Sequence, residues 1–518
     1  MLMPFANEPL TDFAKPEPVK AFQSALDRVS AELGRSYPLI IGGQRVETAK
    51  TFDSINPAQP SQLVGRFAKA DEQLAAEAVE AATEAFAGWK RTPALVRARY
   101  LLKAAAVLRR RKHEFSAWMV YEVGKSWAEA DGETTQAIDL LEFYAREIAR
   151  LDTSQPIISY PGREVELRYI PLGVGVVISP WNFPVYLTTG MMAAALVSGN
   201  TVVLKPASAS PTAVYKLVEV FNDELLLPPG VLNFVPGPGG TVGDALVVHP
   251  KTRFVAFTGS KEIGLRIHEL AARPQPGQIW IKRTILEMGG KNAILVDETA
   301  DLDAAAEGIV VSAFGYQGQK CSACSRAILV EDVYDRLLER IVERARQITL
   351  GPTVTPSTWM GPVIDHAAFR KILDYIEIGQ EEGRLVLGGR ALDTPTGGYF
   401  IEPTIFADVQ PSARIAQEEI FGPVLAVMRA RNFEEGLRIA NSTEYGLTGA
   451  VYSRDRKKLE RAREEFHVGN VYFNRRCTGA LVGVEPFGGF NMSGTDSKSG
   501  SPDYLLLFTQ AKVISELL

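Results

Sequence analysis

Apolar residues recur with helical spacing through much of the first quarter of the chain. The segment from Leu74 to Trp89 presents one such face, and Asp71 stands just before it, where an N-cap residue is expected. Gly124 follows another of these segments, in the position where a left-handed glycine often ends a helix. Residues 38–68 instead contain short apolar stretches broken by turn residues, which is typical of strands. The pattern therefore predicts short strands followed by a group of helices.

The pattern changes near residue 172, where strands and helices begin to alternate about every 25 residues. The runs 173–179 and 201–205 are almost wholly apolar, as are the strands of a parallel sheet covered on both faces. A second alternating block begins at 293–297 and continues to about residue 470. The sequence therefore predicts two α/β domains with a ligand cleft between them.

One segment between these regions has a different pattern. Residues 156–170 look like a β-hairpin that turns at Pro161 and Gly162. A hairpin of this kind has exposed edges, so we expect it to pair with another strand.

Composition places the chain among ordinary globular proteins. Of its 518 residues, 46% are hydrophobic and 23% are charged, so a large core can form and disorder is excluded as the main state. With 56 basic and 61 acidic residues the net charge is −5, which argues against a strong nucleic-acid binder. The sequence contains no recognisable signal peptide and no apolar stretch of about 20 residues, so we expect a cytoplasmic protein without a membrane segment.

Three cysteines and five histidines limit the metal and redox chemistry of the chain. So few cysteines cannot build a disulfide scaffold, and they suggest a reducing compartment. Cys321 and Cys324 form a Cys-x-x-Cys that resembles half of a redox or zinc motif, but a second pair is missing, which excludes a four-cysteine zinc site. The histidines lack metal-ligand spacing, so we expect no metal. A reversible dithiol at Cys321 and Cys324 stays open as an alternative.

Polar side chains follow several of the predicted strands, at the edge where open α/β sheets bind ligands. In the segment 178–184 the amide of Asn182 can stabilise an oxyanion, although the segment alone could equally be a proline-framed turn. In the segment 257–264, Ser260 stands at the start of a helix, where phosphate binds, but the glycine spacing is not the dinucleotide fingerprint. Lys205 offers a cation for a ribose hydroxyl or a phosphate, although a lone lysine is more often a surface residue.

A carboxylate and a cysteine stand in two further segments. Glu287 ends a predicted strand and is followed by two glycines, and Cys321 lies between a helix and a strand. A nucleophilic cysteine needs an accessible thiolate, and a nearby carboxylate can take a proton from the thiol or from water. A cysteine taken alone is more often a small buried apolar side chain.

Together these segments make the sequence similar to the aldehyde dehydrogenase superfamily. The resemblance implies an α/β, aldehyde dehydrogenase-like fold with a Rossmann-type cofactor domain, an α/β catalytic domain and a β oligomerisation arm. It divides the chain into an N-terminal extension (1–36), an NAD-binding domain (37–155 and 171–287), a catalytic domain (288–485) and the arm (156–170 and 486–518). The motifs that carry it stand in the family's order: PWNFP, LKPAS, FTGS, LEMGGKN, GQKCS, EEIFGPV and PFGGFNMSG.

The resemblance implies a role for three catalytic residues. Cys321 would attack the aldehyde to give a thiohemiacetal, which becomes a thioester after hydride leaves for the nicotinamide. Asn182 and the Cys321 backbone N–H would hold the oxyanion. Glu287 would activate the water that hydrolyses the thioester, and would first help to deprotonate the thiol.

The resemblance also implies a nicotinamide cofactor, with Lys205 on the adenosine ribose and Glu419 on the nicotinamide ribose. NAD-specific members often carry glutamate three positions after the lysine. Here that residue is Ser208, which neither repels nor strongly recruits a 2′-phosphate, so we expect NAD as the main cofactor and leave NADP open as a second. A milder departure is Met288, where leucine is common. The expected cofactor-binding residues are Ile178, Ser179, Pro180, Trp181, Lys205, Ser208, Gly237, Gly243, Phe257, Gly259, Ser260, Met288, Glu419 and Phe421.

Within the family, the N-terminal extension and the segments GYQGQKCSACSR and RRCTGALVGVEPFGGFNMSGTDSKSG resemble members that act in proline degradation. Those members oxidise L-glutamate γ-semialdehyde, in equilibrium with 1-pyrroline-5-carboxylate, to L-glutamate. By this resemblance Ser322 and the loop amides would bind the substrate carboxylate, Lys320 would add positive charge, and two phenylalanines would flank the aliphatic chain. The expected substrate-binding residues are Phe183, Lys320, Ser322, Gly479, Ala480 and Phe487.

Other substrates and partners stay open. A dehydrogenase for another semialdehyde, such as succinic semialdehyde, would not need the carboxylate-binding group. Glu287 argues against a CoA-acylating member, and a non-catalytic relative is the alternative outside enzymes. The arm implies a homodimer or a larger homo-oligomer. Because the chain leaves no room for a flavin domain, a separate proline dehydrogenase would supply the substrate, and transient contact with it stays open.

Overall fold

The computed structural model describes residues 3–518. Among these residues, no helix is both long and apolar enough to cross a membrane. The helices are α1 (Pro16–Ser30), α2 (Glu72–Trp89), α3 (Ala94–Arg110), α4 (Lys112–Val123), α5 (Trp127–Leu151), α6 (Tyr186–Val197), α7 (Pro211–Glu219), α8 (Asp244–Val248), α9 (Lys261–Ala272), α10 (Leu302–Phe314), α11 (Tyr334–Arg346), α12 (His366–Glu382), α13 (Arg414–Gln417), α14 (Phe433–Ala440) and α15 (Arg456–Glu465).

The strands group into two large sheets and several small ones. They are β1 (Arg35–Tyr37), β2 (Leu39–Ile41), β3 (Gln44–Val46), β4 (Thr51–Asn56), β5 (Gln59–Ala68), β6 (Arg163–Pro171), β7 (Val174–Ile178), β8 (Thr201–Lys205), β9 (Leu232–Phe234), β10 (Thr252–Thr258), β11 (Arg283–Glu287), β12 (Asn292–Val296), β13 (Cys324–Val330), β14 (Arg384–Leu387), β15 (Ala391–Leu392), β16 (Phe400–Ile401), β17 (Thr404–Ala407), β18 (Val424–Ala430), β19 (Tyr445–Gly446), β20 (Thr448–Tyr452), β21 (Asn470–Phe473), β22 (Phe490–Asn491) and β23 (Thr509–Leu517).

The local signals in the first quarter of the chain are confirmed. The Asp71 side chain caps α2 by accepting a hydrogen bond from the Leu74 N–H at 2.9 Å. Gly124 ends α4 in the left-handed conformation, with φ at 65°. The N-terminal extension packs against the rest of the protein, since Phe22 and Leu26 of α1 are buried in the largest hydrophobic core of the structure.

The first large sheet has the strand order β11-β10-β7-β8-β9-β2-β3. The five strands from β11 to β9 run parallel, and β2 pairs antiparallel with β9 and β3. Successive side chains enter different cores: Val177 faces one, and Val176 and Ile178 face the other. The sheet is therefore covered on both faces at its centre, which is why β7 and β8 are almost wholly apolar.

The second large sheet has the order β14-β17-β18-β13-β12-β20-β21, with only β14 antiparallel to its neighbour among these strands. It is also buried on both faces, because Ile294 and Leu295 point into different cores. The link from β11 to β12 is four residues, 288–291. The carboxyl edge of the first sheet therefore lies next to the amino edge of the second.

The hairpin predicted at 156–170 is formed only in part. The chain reverses at Pro161 and Gly162, with an antiparallel bridge between Tyr160 and Arg163 and a 3.0 Å hydrogen bond from the Gln155 N–H to the Leu167 carbonyl, but the residues before the turn do not form a continuous strand. One strand, β6, runs from Arg163 to Pro171, and its partner is β23, in a nine-pair antiparallel register from Thr509–Pro171 to Leu517–Arg163. The expected pairing of this segment with a further strand is confirmed by β23. Just before β23, Tyr504 and Phe508 pack into the largest core. A turn signal shows where the chain reverses but not how far strand pairing extends from the turn, so the sequence overestimated the strand before Pro161.

Candidate active site

A strained turn places Cys321 at the amino edge of the second sheet. Tyr316, Gln317 and Gly318 all have left-handed backbones, with φ of 51°, 58° and 67°. The first two are held by buried hydrogen bonds from the Tyr316 hydroxyl to the Val123 carbonyl at 3.1 Å and from Gln317 Nε2 to the Pro362 carbonyl at 2.7 Å. Strained backbone of this kind is kept only where surrounding contacts over-determine it.

The Cys321 thiol is the accessible thiol of the three. Cys321 is half-buried, whereas Cys324 and Cys477 are buried and lie beside each other. Burial raises the pKa of Cys321 to about 12, and the negative charges of Glu287 and Glu419 act in the same direction. The N–H groups of Cys321 and Ser322 face the sulfur and oppose that shift. The thiol is therefore protonated at rest and needs a base before it can attack.

Asn292 holds residues 319–323, here called the nucleophile turn after the candidate nucleophile Cys321. Its Nδ2 donates to the Cys321 carbonyl at 2.7 Å and to the Ala323 carbonyl at 2.9 Å, and its Oδ1 accepts from the Thr448 N–H at 2.9 Å. Sequence reasoning did not select this residue, although it ends the LEMGGKN motif. The available signal was a polar residue at the start of a predicted strand, within a motif that carries the family resemblance.

Asn182 lies between the two sheets. It is buried, and its Nδ2 donates to the Gln319 carbonyl at 3.1 Å, which ties its loop to the turn before Cys321. Glu133 fixes the other side of this loop by accepting from the N–H groups of Val185 and Tyr186 at 2.7 and 3.0 Å. The amide is therefore held close to the nucleophile turn by contacts on both sides.

Glu287 ends β11 and is half-buried. Its Oε1 accepts a hydrogen bond from the Ser497 hydroxyl at 2.7 Å, and its Oε2 is buried with no hydrogen-bond partner among residues 3–518. Burial raises the pKa of Glu287 to about 8, against the lowering effects of Ser497 and the Lys498 ammonium. A carboxyl with this pKa can take up or release a proton near neutral pH, which suits a general base.

The carboxyl edge of the first sheet gathers most of the predicted cofactor residues. Ile178, Lys205 and Phe257 lie at or next to the ends of three adjacent strands, and Ser179 and Pro180 follow β7. The Lys205 Nζ donates to the carbonyls of Pro206 and Gly237 at 3.1 Å each.

Burial lowers the pKa of Lys205 to about 8. A Cβ at Gly243 would lie 3.5 Å from its side chain, so this glycine leaves room beside the lysine. Ser208 is exposed three residues further along the chain.

A helix N-terminus faces the same edge. Ser260 is exposed and caps α9 through a 3.4 Å hydrogen bond from the Ile263 N–H. A Cβ at Gly259 would collide with the Phe257 ring, and one at Gly264 would collide with Met288. The free N–H groups at the start of a helix of this length suit an anionic group such as a pyrophosphate.

Glu419 and Phe421 approach from the loop before β18. The Gly290 N–H donates to Glu419 Oε1 at 2.9 Å, and a Cβ at Gly289 would collide with that carboxylate. Phe421 has a left-handed backbone with φ at 60°, and its ring meets the edge of Trp181 with centroids 5.5 Å apart. These contacts join the two sheets across the cleft.

The predicted substrate residues form a second group beside the cysteine. The Ser322 carbonyl accepts hydrogen bonds from the Cys477 thiol and the Thr448 hydroxyl, both at 3.4 Å, so the nucleophile turn is joined to the loop that carries Gly479 and Ala480. Gly479 is exposed, with φ at 78°, a conformation that glycine adopts without strain.

The positive charge of Lys320 is compensated by an acidic side chain, which the sequence did not predict. Its ammonium lies 2.6 Å from Glu129 Oε1, a residue 191 positions away. A second pair stands behind it: Lys125 and Glu133 are fully buried at 2.6 Å, and the Lys125 ammonium lies 3.6 Å from the centre of the Phe183 ring. Sequence reasoning missed both acidic partners, since neither lies in a recognisable motif.

Phe183 also meets the edge of the Tyr316 ring, with centroids 6.1 Å apart. Phe487 is half-buried, and its backbone pairs with Ser499. The Ala480 carbonyl accepts from Gln136 Nε2 at 2.9 Å, another contact with α5 that the sequence did not indicate. The predicted substrate residues therefore line a region bounded by α5, the nucleophile turn and the loop before β22.

Comparison with protein families gives a match to the model described as the aldehyde dehydrogenase family, over residues 45–514. The chain belongs to the aldehyde dehydrogenase family. Among similar proteins, 1-pyrroline-5-carboxylate dehydrogenase of Geobacillus thermodenitrificans is 59% identical over 517 residues and the full length of both chains.

Two solved structures extend the comparison of this aldehyde dehydrogenase. The Thermus 1-pyrroline-5-carboxylate dehydrogenase with bound NAD superimposes with a TM-score of 0.98, at 54% identity and full coverage of both chains. Proline utilization A from Bdellovibrio bacteriovorus superimposes with a TM-score of 0.97, at 44% identity, over 99% of this chain and 53% of its own. The predicted aldehyde dehydrogenase fold is confirmed by these matches.

Proposed function

We propose that this aldehyde dehydrogenase oxidises L-glutamate γ-semialdehyde, in equilibrium with 1-pyrroline-5-carboxylate, to L-glutamate with NAD, the second step of proline degradation. Its full-length similarity to 1-pyrroline-5-carboxylate dehydrogenases supports the substrate. The observation that carries the proposal is the 3.4 Å hydrogen bond from the Cys477 thiol to the Ser322 carbonyl, which couples the nucleophile turn to the 477–480 loop. One short substrate could then place its aldehyde at Cys321 and its carboxylate at that loop.

Cys321 is the proposed nucleophile. Its thiol must lose a proton, and the Glu287 carboxylate, with a pKa of about 8, is the base that the geometry offers. The N–H groups facing the sulfur then stabilise the thiolate. Addition to the carbonyl carbon gives a thiohemiacetal, whose oxyanion the Asn182 amide and the Cys321 N–H would hold.

The cofactor residues fit a dinucleotide. Glycines at positions 243, 259 and 289 keep the cleft open where a Cβ would fill it or collide, and the N-terminus of α9 suits a pyrophosphate. Lys205 would hold the adenosine ribose and Glu419 the nicotinamide ribose. NAD, when bound, accepts the hydride that the aldehyde carbon loses. The chain's own part is to orient the carbonyl and exclude water.

Hydrolysis of the Cys321 thioester completes the proposed reaction. Glu287 takes a proton from water as the water attacks the thioester carbon, and the thiolate leaves as L-glutamate forms. This step needs the carboxylate in its ionised form, so it should speed up as the pH rises toward 8.

Recognition of the amino-acid end is proposed for the Ser322 hydroxyl and the backbone N–H groups of Gly479 and Ala480. Left-handed glycine in a loop turns successive N–H groups to one side, which makes an anion-binding concavity. Lys320 contributes within its pair with Glu129, so this end of the site carries both signs of charge, as a zwitterion requires. Phe183 and Phe487 would flank the aliphatic chain.

We propose a homodimer or a larger homo-oligomer, with the β6–β23 ribbon as its arm. Val513 and Leu517 on β23 are 65% and 81% exposed, and a two-stranded ribbon is marginal by itself. The domain division given above is kept as part of the proposal. All three cysteines are free thiols, which fits a cytoplasmic setting. A separate proline dehydrogenase, in transient contact, is the proposed source of substrate.

NADH formation with purified protein tests the proposal. L-1-pyrroline-5-carboxylate should be preferred over succinic semialdehyde and propanal at matched concentrations. Ser322→Ala and Gly479→Val should each lower kcat/KM for that substrate by roughly 10–100-fold, because polar contacts to substrate are lost. Gly397→Val is the matched control, since Gly397 also has a left-handed backbone (φ 66°) but lies in open space. Preference for either other aldehyde would overturn the substrate assignment.

A further inference from the structure

The segment 493–499 runs along the end of β11, far from it in sequence. Gly494 forms an antiparallel bridge with Glu287, the Thr495 N–H donates to the Leu286 carbonyl at 3.0 Å, and the Met288 N–H donates to the Ser493 carbonyl at 2.8 Å. These backbone bonds fix the segment beside the proposed general base on both sides of it. The conformation of the segment therefore determines which groups surround the Glu287 carboxyl.

The Glu287 carboxyl lies in a pocket walled by glycine backbone. A Cβ at Gly488 would stand 2.9 Å from Oε1, so a side chain there would displace the carboxyl, and one at Gly494 would stand 3.5 Å from Oε1, in van der Waals contact with it. The Gly489 N–H also faces the carboxylate. Within this pocket the Ser497 hydroxyl, at 2.7 Å, is the side-chain group that bonds the carboxyl.

Several charged or titratable groups face Glu287 from the elements around it. Lys498 and Asp496 stand on the same segment as Ser497, with opposite effects on the carboxylate. Cys321 faces it across the site, and Tyr504 faces it from the turn before β23. The Lys498 ammonium is occupied by the carbonyl of Gly469 at 2.7 Å, so it acts on Glu287 through its charge.

We propose that Ser497 is a positioning residue for Glu287: its hydroxyl holds the carboxyl in the glycine-walled pocket through a hydrogen bond that favours the ionised base. The inference rests on the proposed function, in which Glu287 activates water. Ser497 is itself buried, at 3% exposed, and its hydroxyl is directed at the carboxyl. A hydroxyl that donates to a carboxylate stabilises the charged form, and its loss removes the side-chain donor that Oε1 has in this pocket.

The test separates formation of the acyl-enzyme from its hydrolysis. Wild type, Ser497→Ala, Ser497→Thr and Ser499→Ala are mixed with NAD and L-1-pyrroline-5-carboxylate between pH 6 and 9. The burst of NADH reports acylation, and mass spectrometry of acid-quenched enzyme follows decay of the modified Cys321. Ser499→Ala is the matched control, because its hydroxyl contacts Tyr144 at 3.3 Å and belongs to the same segment.

Ser497→Ala should move the midpoint of acyl-enzyme decay up by about one pH unit. At pH 7 that shift slows decay about tenfold. The pH dependence of the burst rate should move in the same direction, because Glu287 is also the proposed base for Cys321. Ser497→Thr should restore the midpoint, and Ser499→Ala should not move it. Should Ser497→Ala fail to fold, Ser497→Cys, with a weaker donor, should give an intermediate shift.

Three results would overturn the inference. They are an unchanged midpoint in Ser497→Ala, an equal shift in Ser499→Ala, or decay that slows equally at every pH. Failure of the proposed function looks different, because wild type itself would then form no acyl-enzyme with this substrate.

Discussion

Removal of the Asn292 side chain should displace Cys321, although the Cys321 side chain itself is unchanged. Asn292→Ala deletes hydrogen bonds to the carbonyls of Cys321 and Ala323 and to the Thr448 N–H. At about 1 kcal/mol net for each bond, the turn loses roughly 3 kcal/mol of fixation. If all of it appears in the barrier to thiol attack, acylation slows by about 100-fold, since about 1.4 kcal/mol corresponds to a factor of ten.

The rate of the first NADH burst measures this loss directly. Asn441→Ala is the matched control, because Asn441 makes the same kinds of bond, to the Glu465 carbonyl at 2.7 Å and from the His467 N–H at 3.0 Å, at an exposed site. It should leave the burst unchanged. A burst in Asn292→Ala within threefold of wild type, in a protein with normal circular dichroism, would refute the claim that Asn292 positions Cys321.

Three more predictions follow from buried groups. Lys125→Met should lower the free energy of unfolding by about 3–5 kcal/mol, because it leaves the Glu133 carboxylate buried without its partner. The double variant Lys125→Met with Glu133→Gln should recover most of that free energy. A change below about 1 kcal/mol in urea unfolding of Lys125→Met would contradict the buried pair. In the folded protein the pKa of Glu287 is about 8, well above the ordinary 4.5, so Glu287 makes stability fall as the pH rises from about 4.5 to about 8. Glu287→Gln should flatten that part of the plot of urea midpoint against pH. An unchanged slope would contradict the raised pKa. Iodoacetamide should modify native protein at one equivalent, Cys321, with loss of activity, since the other two cysteines are buried; two fast equivalents would contradict that burial.

Local features of the fold were readable from the sequence. The Asp71 cap, the left-handed Gly124 and the alternation of apolar strands with helices depend on residues within a few positions of one another. Backbone preferences and the burial of one face act over that range, so their signal survives in the order of residues. The family motifs likewise placed Cys321, Glu287 and Asn182 at element ends, and the structure brings those ends to the same cleft.

The partners of those residues were decided by tertiary structure. Ser497 reaches Glu287 across 210 positions, and Glu129 compensates Lys320 across 191. The main strand partner of β6 was decided in the same way, since it comes from the far end of the chain, at β23. Alternation shows that a strand has two faces, and a charged side chain shows that a partner is needed. Neither pattern says which distant segment supplies it, because that choice depends on how both sheets pack and on the burial that this packing imposes.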